Sequence, residues 1–284
     1  MTVIRWPACR RVGHRGRVPV HAEIADYYDR GEERERLVDG ARGVLERLRT
    51  RALLVELLPP PPARVLDVGG GAGVHAGWLA ERGYDVHLVD PMPLHVTQAR
   101  EHGTFTAELG DARDLAEADA SRDAVLLLGP LYHLPSRADR VRALAEACRV
   151  VRPGGIVCAA AICRWAGLWD ALTRDMLADA RVPAIVDGEL AAGVHRNDDR
   201  VPGWFTTAYF HRPEDLPGEL VDAGLAEPGV RAVEGPAAFF GGLDVILADA
   251  RRRADLLHWL GRVDAEPALL GAGSHLLAYA HRPS

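Results

Sequence analysis

The sequence predicts an α/β protein built on a doubly wound, seven-stranded, mostly parallel sheet. Three observations predict it. Short apolar runs alternate with stretches whose apolar residues recur at three- and four-residue steps, the pattern of strands separated by helices. The run ending at Val68 passes through "GGGAG" (residues 69–73) directly into a helical stretch, the strand–glycine turn–helix order of a nucleotide-binding fold. The chain has 284 residues, 48% hydrophobic and 26% charged, which suits one large soluble domain or one and a half.

Taken in order, residues 1–21 read as a disordered tail. The first 22 residues carry five arginines and no acid, without the apolar core of a signal peptide or the serines of a transit sequence. Residues 22–62 read as an N-terminal helical flap. A helix is predicted from Ala22 to Leu58 with a break near Asp39-Gly40, and Pro59 to Pro62 stop it. Residues 63–163 read as the core. Its strands are Val65 to Val68, Asp85 to Val89, Phe105 to Leu109, Asp123 to Gly129 and Gly154 to Ile162. Its helices are Val74 to Arg82, Pro93 to His102 and Arg137 to Val151. Residues 164–212 interrupt the alternation as an inserted cap, helical at first and then irregular. Residues 213–284 resume the core with a helix (Pro213 to Ala223) and a weak strand near Val230. A second insertion (Gly235 to Ala250), a helix (Arg251 to Leu260) and a closing strand (His275 to His281) complete it.

Composition excludes some functions. A formal charge of −6 argues against a sequence-independent grip on nucleic acid. No apolar run approaches the ~18 residues of a membrane span. The basic residues are all arginine, which reads as coding bias. Cys9, Cys148, Cys158 and Cys163 form no C-x-x-C pair and read as free thiols of a reducing cytoplasm. No metal site is expected, because His195 and His211 lack partners at ligand spacing.

The glycine segment fits two templates. Gly71, Gly73 and Ala76 match the dinucleotide spacing G-x-G-x-x-G/A, while Asp67, Gly69, Gly71 and Gly73 match D-x-G-x-G-x-G. Asp67 stands on the strand just before the turn, as a ligand for a cation or as a polar anchor. Asp90 ends the second strand, ~20 residues beyond the glycines, where an acid accepts ribose hydroxyls whatever the ribose carries. "GDARDL" (residues 110–115) follows the third strand. "LLLGPLYHLPSRADRVRALAEACRVVRPGG" (126–155) runs from the fourth strand to a Pro-Gly-Gly turn that ends a helix and enters the next strand.

Together these segments, from Asp67 to Ile162, resemble the class I S-adenosylmethionine (SAM)-dependent methyltransferases of the bacterial small-molecule type. The resemblance implies a Rossmann-like fold, SAM as cofactor and S-adenosylhomocysteine as its product. It implies that Asp67, directly or through water, orients the amino-acid end of SAM over Gly69, Gly71 and Gly73. Asp90 then takes the ribose, with Pro91 and Met92 beside it. Asp111 accepts from the adenine amino group with the Ala112 amide as partner, and Leu128 and Gly129 close the site. "YYDRGEERERL" (27–37) is similar to an N-terminal helix of one bacterial group, in which a tyrosine and an arginine cover the methionine moiety. That implies Tyr28 and Arg36, with Tyr27 competing for the first role and an ordinary amphipathic helix as the plainer reading. "TTAYFHRPEDL" (206–216) and "AEPALLGAGSHLLAYAHRP" (265–283) are similar to the same group.

Methyl transfer is an in-line displacement that needs a nucleophile about 3 Å from the methyl. His133, four residues past Gly129, is the expected catalytic residue. An imidazole with an ordinary pKa of ~6.5 can take a proton near neutrality, and hydrogen bonding or stacking remain open to it. Tyr132, Arg164, His195, Tyr209 and His211 are the expected substrate contacts. The rings of the cap, including Trp165, Trp169, Trp204 and Phe210, suit a flat acceptor or simply the cap's own core. The expected function is methylation at N or O of a small, aromatic or heteroaromatic molecule by a cytoplasmic monomer or homodimer. No nucleic-acid or membrane partner is expected. The alternatives are an NAD(P)-dependent oxidoreductase and a non-catalytic SAM-binding partner protein.

Overall fold

The computed structural model describes residues 22–28, 36–198, 201 and 203–284. The tail expected at 1–21, Cys9 and residues 29–35 of the predicted first helix lie outside them. Helix α1 (Ala22–Tyr28) and helix α2 (Ala41–Leu57) replace one broken helix, and Gly40, at φ +76, supplies the break just before α2. That backbone angle lies in the left-handed region that glycine adopts without a Cβ clash.

The sheet follows the predicted alternation. Strand β1 (Arg64–Val68) leads to α3 (Val74–Glu81), β2 (Asp85–Asp90) to α4 (Pro93–Arg100), and β3 (Thr106–Leu109) follows. Next come β4 (Arg122–Leu127), α5 (Arg137–Val150) and β5 (Val151–Cys163). Strands β3, β2, β1, β4 and β5 lie side by side in parallel. The closing strand β9 (His275–His281) runs antiparallel to β5, from Ile156 opposite His281 to Ile162 opposite His275. Strand β8 (Ala226–Ala232) pairs antiparallel with β9 at the far edge. These are the seven expected strands.

Two more were not expected. Residues 164–212 fold as α6 (Ala166–Thr173), α7 (Val182–Ala192), β6 (Val194–His195) and β7 (Ala208–His211). Strand β7 runs parallel to the last residues of β5, with Ile162 opposite Phe210, and β6 pairs with β7. The sheet therefore has nine strands. Strands this short, set among Trp, His and Asp, leave no apolar run to read. The remaining elements are α8 (Leu216–Asp222), α9 (Leu243–Ala248) and α10 (Ala250–Val263).

Period-2 alternation divides the core in two. Leu66, Val68, Val125, Leu127, Val157, Ala159, Leu276 and Ala278 pack under α5 and α8. Val65, Leu126, Cys158 and Leu277 face the other way, against Leu53 and Leu54 of α2 and Leu79 of α3. The same alternation sends Asp67, Leu128, Ala160 and His275 to the second face. Helix α2 is held there by the buried Arg49, which donates to the Val233 carbonyl at 3.0 Å and pairs with Asp264 at 2.7 Å. Cys158 and Cys163 are free and buried, but Cys148 is disulfide-bonded, which corrects the expectation of free thiols. Among the described residues no helix is long and apolar enough to cross a membrane.

Candidate functional site

A large cavity opens at the carboxyl ends of β1, β2 and β4, on the α2 face of the sheet. Glycine shapes its floor. Gly69 has φ +68, and a Cβ on it would lie 2.7 Å from the Pro130 ring; one on Gly70 would lie 2.6 Å from the Asp67 carboxylate. Larger residues would push the turn apart, so bare backbone faces the cavity here. Gly73 has a different role. Its left-handed φ of +88 opens α3, and a Cβ there would strike the Phe105 ring, away from the cavity wall.

Asp67 is 1% exposed, and neither carboxylate oxygen has a hydrogen-bond partner among the described residues. Burial, and then the charge of Asp90, push its pKa up to about 7. A buried carboxylate without a partner is costly unless a cation arrives. Asp90 is built in firmly. Its Oδ2 accepts from the Gly71 amide at 2.9 Å, and its Oδ1 accepts from the Met92 amide at 2.9 Å and faces His95 Nδ1 at 3.1 Å. Pro91 and Met92 line the wall beside it. Asp111 and Ala112 line the far end, with Arg113 forking onto the Asp111 carboxylate at 2.9 and 2.7 Å. Burial opposes ionisation there, but the Arg113 bonds prevail and lower the Asp111 pKa. Leu128 and Gly129 complete this wall.

Helix α1 crosses the opening. The Tyr28 hydroxyl meets His133 Nε2 at 2.6 Å, and its ring stands edge-on to both His95 and His133. Tyr28 lines the cavity, whereas Tyr27 packs edge-on against Phe205. Glu23 of the same helix accepts from the Thr207 hydroxyl, which ties α1 to the segment entering β7. Arg36 also lines the cavity and pairs with Glu46 of α2 at 2.7 Å.

Tyr132 and His133 reach the cavity on a 3₁₀ turn, Pro130–His133. Burial lowers the His133 pKa to about 4, outweighing a Thr207 backbone contact and the charge of Asp90. Burial therefore favours the neutral ring, which can bond or stack without taking a proton.

The four substrate contacts expected from the cap do not reach this wall. Arg164 donates to the Phe210 carbonyl at 2.8 Å and to the Tyr209 hydroxyl at 3.3 Å. His195 bonds Glu189 through Nδ1 and the Phe205 carbonyl through Nε2, and stacks on Phe210. His211 Nε2 lies 3.4 Å from Glu219, and the Tyr209 ring covers the Arg140 guanidinium at 3.7 Å. The reason is topological. Because β7 joins the sheet beside β5, Arg164, His195 and His211 are buried, Tyr209 is half-buried, and their contacts run to neighbouring groups away from the cavity.

Sequence reasoning missed several residues on the wall. His95, buried, keeps Nε2 without a partner, and His75 keeps Nδ1 likewise. Glu46 and His275 also line the cavity, with Glu234 behind them. Glu46, Glu234 and His275 bring ligand atoms within 4.8 Å of one another, close enough for a metal. Arg36 and the imidazole already neutralise the two carboxylates. Residues 46, 234 and 275 share no local motif, so spacing could not join them. The strand alternation that puts Leu277 and His275 on the face of Asp67 was the available signal.

The geometry thus defines a glycine-floored cavity at the carboxyl ends of a parallel sheet, with a buried acid that has no partner among the described residues. Comparisons with known proteins specify it. Residues 65–155 match the family model described as a methyltransferase domain. An uncharacterized methyltransferase of Mycobacterium tuberculosis strain H37Rv is 44% identical over 101 residues, 35% of this chain and 40% of the relative. A ubiquinone biosynthesis O-methyltransferase of Xylella fastidiosa strain 9a5c is 33% identical over 175 residues, 59% of this chain and 63% of the relative. The chain thus spans 40–63% of the length of these curated relatives. A Haloferax volcanii chain seen in complex with the Trm112 methyltransferase activator shares the fold, with TM-score 0.58, 19% identity and coverage of 92% and 98%. Residues 65–155 of this chain therefore match a methyltransferase domain.

Proposed function

We propose that the chain is a SAM-dependent methyltransferase that methylates N or O of a small, aromatic or heteroaromatic molecule. One observation carries the cofactor: a buried, partnerless Asp67 carboxylate beside a glycine floor and Asp90. The amino group of a bound methionine moiety gives Asp67 its missing partner. A dinucleotide, with no cation at that position, would leave it unpaired. Asp90 holds the ribose and Asp111 with Ala112 the adenine, while Tyr28 and Arg36 cover the methionine end. SAM supplies a methyl already activated on a cationic sulfur, so positioning and removal of water are what this chain must provide.

In this reading residues 22–62 are the flap and 63–163 the cofactor core. Residues 164–212 brace the flap, and 213–284 complete the core. His133 latches Tyr28 and touches the acceptor as a neutral imidazole. The setting is cytoplasmic, where the cofactor is made, and the enzyme works as a monomer or homodimer on a methyl acceptor. The test is incubation with methyl-labelled SAM and mixed phenols and aromatic amines. Labelled product with S-adenosylhomocysteine is the expected result. Binding of S-adenosylhomocysteine without transfer to any acceptor would favour a non-catalytic role, and NADH turnover an oxidoreductase.

A further inference from the structure

The cavity continues past the cofactor residues. Its lining also includes Ala160 and Leu277, adjacent on β5 and β9, together with Val233, Thr50, Glu46 and His275. Three apolar side chains beside a charged pair suit a ring bearing one polar group.

His275 is the fixed point of that group. It begins β9, and the buried Glu234 binds it twice, accepting from its backbone amide at 3.0 Å and holding its Nδ1. Glu46 lies 3.8 Å from the same nitrogen. Nδ1 therefore carries a proton and faces carboxylates. Nε2 is left as the ring's outward polar atom, with no hydrogen-bond partner among the described residues. A histidine held by a carboxylate at one nitrogen presents the other in a defined direction.

We propose that His275, oriented by Glu234, receives the methyl acceptor, and that the acceptor presents to it an anionic oxygen, as a phenolate, enolate or carboxylate. This rests on the SAM reading above and narrows it to O-methylation. The acceptor hydroxyl loses its proton to solvent, and Nε2–H donates to the resulting oxyanion. A lone pair on that oxygen then forms the O–C bond as the C–S bond breaks, and the electron pair stays on sulfur. No further co-reactant is required.

The charged groups facing His275 agree with this role. Burial opposes its charge, but Glu234 and Glu46 outweigh burial and the Arg36 charge, raising its pKa to about 9. His75 acts only at one remove, on Glu46. The imidazolium therefore persists through neutrality and is lost as pH rises through about 9. By contrast His133 is neutral and bonded to Tyr28.

The probe is 4-nitrophenol, which is coloured when ionised, titrated into protein saturated with S-adenosylhomocysteine at mildly alkaline pH. The wild type is expected to bind the phenolate about tenfold or more tightly than His275→Gln, the loss of one charge-assisted hydrogen bond. His258→Gln, an exposed histidine on α10, is expected to match the wild type. Wild-type affinity should fall as pH passes about 9, a limb that His275→Gln lacks and Glu234→Gln moves to lower pH. Because a clip between β8 and β9 would not give that limb, it separates recognition from support. Equal affinity in wild type and His275→Gln, or no phenolate binding to the loaded wild type, overturns the proposal. Failure of S-adenosylhomocysteine itself to bind would instead overturn the cofactor reading. If His275→Gln fails to fold, the wild-type pH limb and its shift in Glu234→Gln still decide.

Discussion

Two regions of this molecule are comparably rich in polar side chains and use them in opposite ways. In residues 164–212 several buried polar groups bond one another, while Trp169 Nε1, Glu189 Oε2, Trp204 Nε1 and His211 Nδ1 have no partner among the described residues and lie away from the cavity wall. His195 engages both ring nitrogens, Arg164 bonds a carbonyl and a hydroxyl, and Tyr209 lies over Arg140. Along the carboxyl ends of β1 and β2, Asp67 and His95 keep buried atoms that nothing among the described residues satisfies. Polar groups that satisfy each other hold a fold together, whereas those left waiting mark where a ligand completes the structure. What separates the two regions is the cavity: Asp67 and His95 line it, and the partnerless groups of residues 164–212 do not.

The comparison can be broken or sharpened by substitution. The largest expected effect falls on stability in the inserted segment. His195→Ala leaves Glu189 buried and unpaired, costing about 3 kcal/mol. Thermal unfolding should show that loss, while calorimetry shows S-adenosylhomocysteine affinity unchanged within about twofold. A large loss of affinity would mean the segment belongs to the site. Asp90→Ala should do the reverse, weakening S-adenosylhomocysteine about 100-fold by removing charge-assisted bonds, with a smaller change in melting temperature.

Asp67 makes a prediction about pH. Its raised pKa of about 7 means the free folded protein holds a proton that the unfolded chain has released above its ordinary value near 4. Stability of the free protein from this group therefore falls as pH rises between those values. A cationic ligand wants the ionised form, so S-adenosylhomocysteine affinity should rise by up to about tenfold per unit towards pH 7 and flatten above it. Titrations across pH should lose that slope in Asp67→Asn; a slope that persists would assign it to another group. Gly70→Ala, whose new Cβ meets the Asp67 carboxylate and Leu88, should weaken binding about tenfold through displacement of the turn. His133→Ala is expected to have the smallest effect on affinity, a few-fold from releasing Tyr28, and a larger one on turnover.

The cofactor half was legible because it is local. A strand, a glycine turn and a helix place Asp67, Gly69, Gly71 and Asp90 within a short stretch, and each element reports the next. Tyr28 and Arg36 were also placed on the cavity by a short N-terminal match. The part of the cavity around Glu46 and His275 was not legible, because it is assembled from distant segments. Composition drew attention to the aromatic insertion, but β7 pairs with β5 and turns those rings into core. His95 went unremarked because nothing in "DPMPLH" shows that its ring returns to Asp90. Glu46, Glu234 and His275 meet only once β9 is threaded antiparallel beside β5, a long-range pairing that no local spacing encodes.

The most direct test of the central claim is a calorimetric titration of the full chain with S-adenosylhomocysteine, with NADH and NADPH as controls. The structure predicts micromolar, stoichiometric binding of S-adenosylhomocysteine and none of either nicotinamide. Binding of a nicotinamide with no response to S-adenosylhomocysteine would contradict it, because the Asp67 carboxylate would then have no cation to meet.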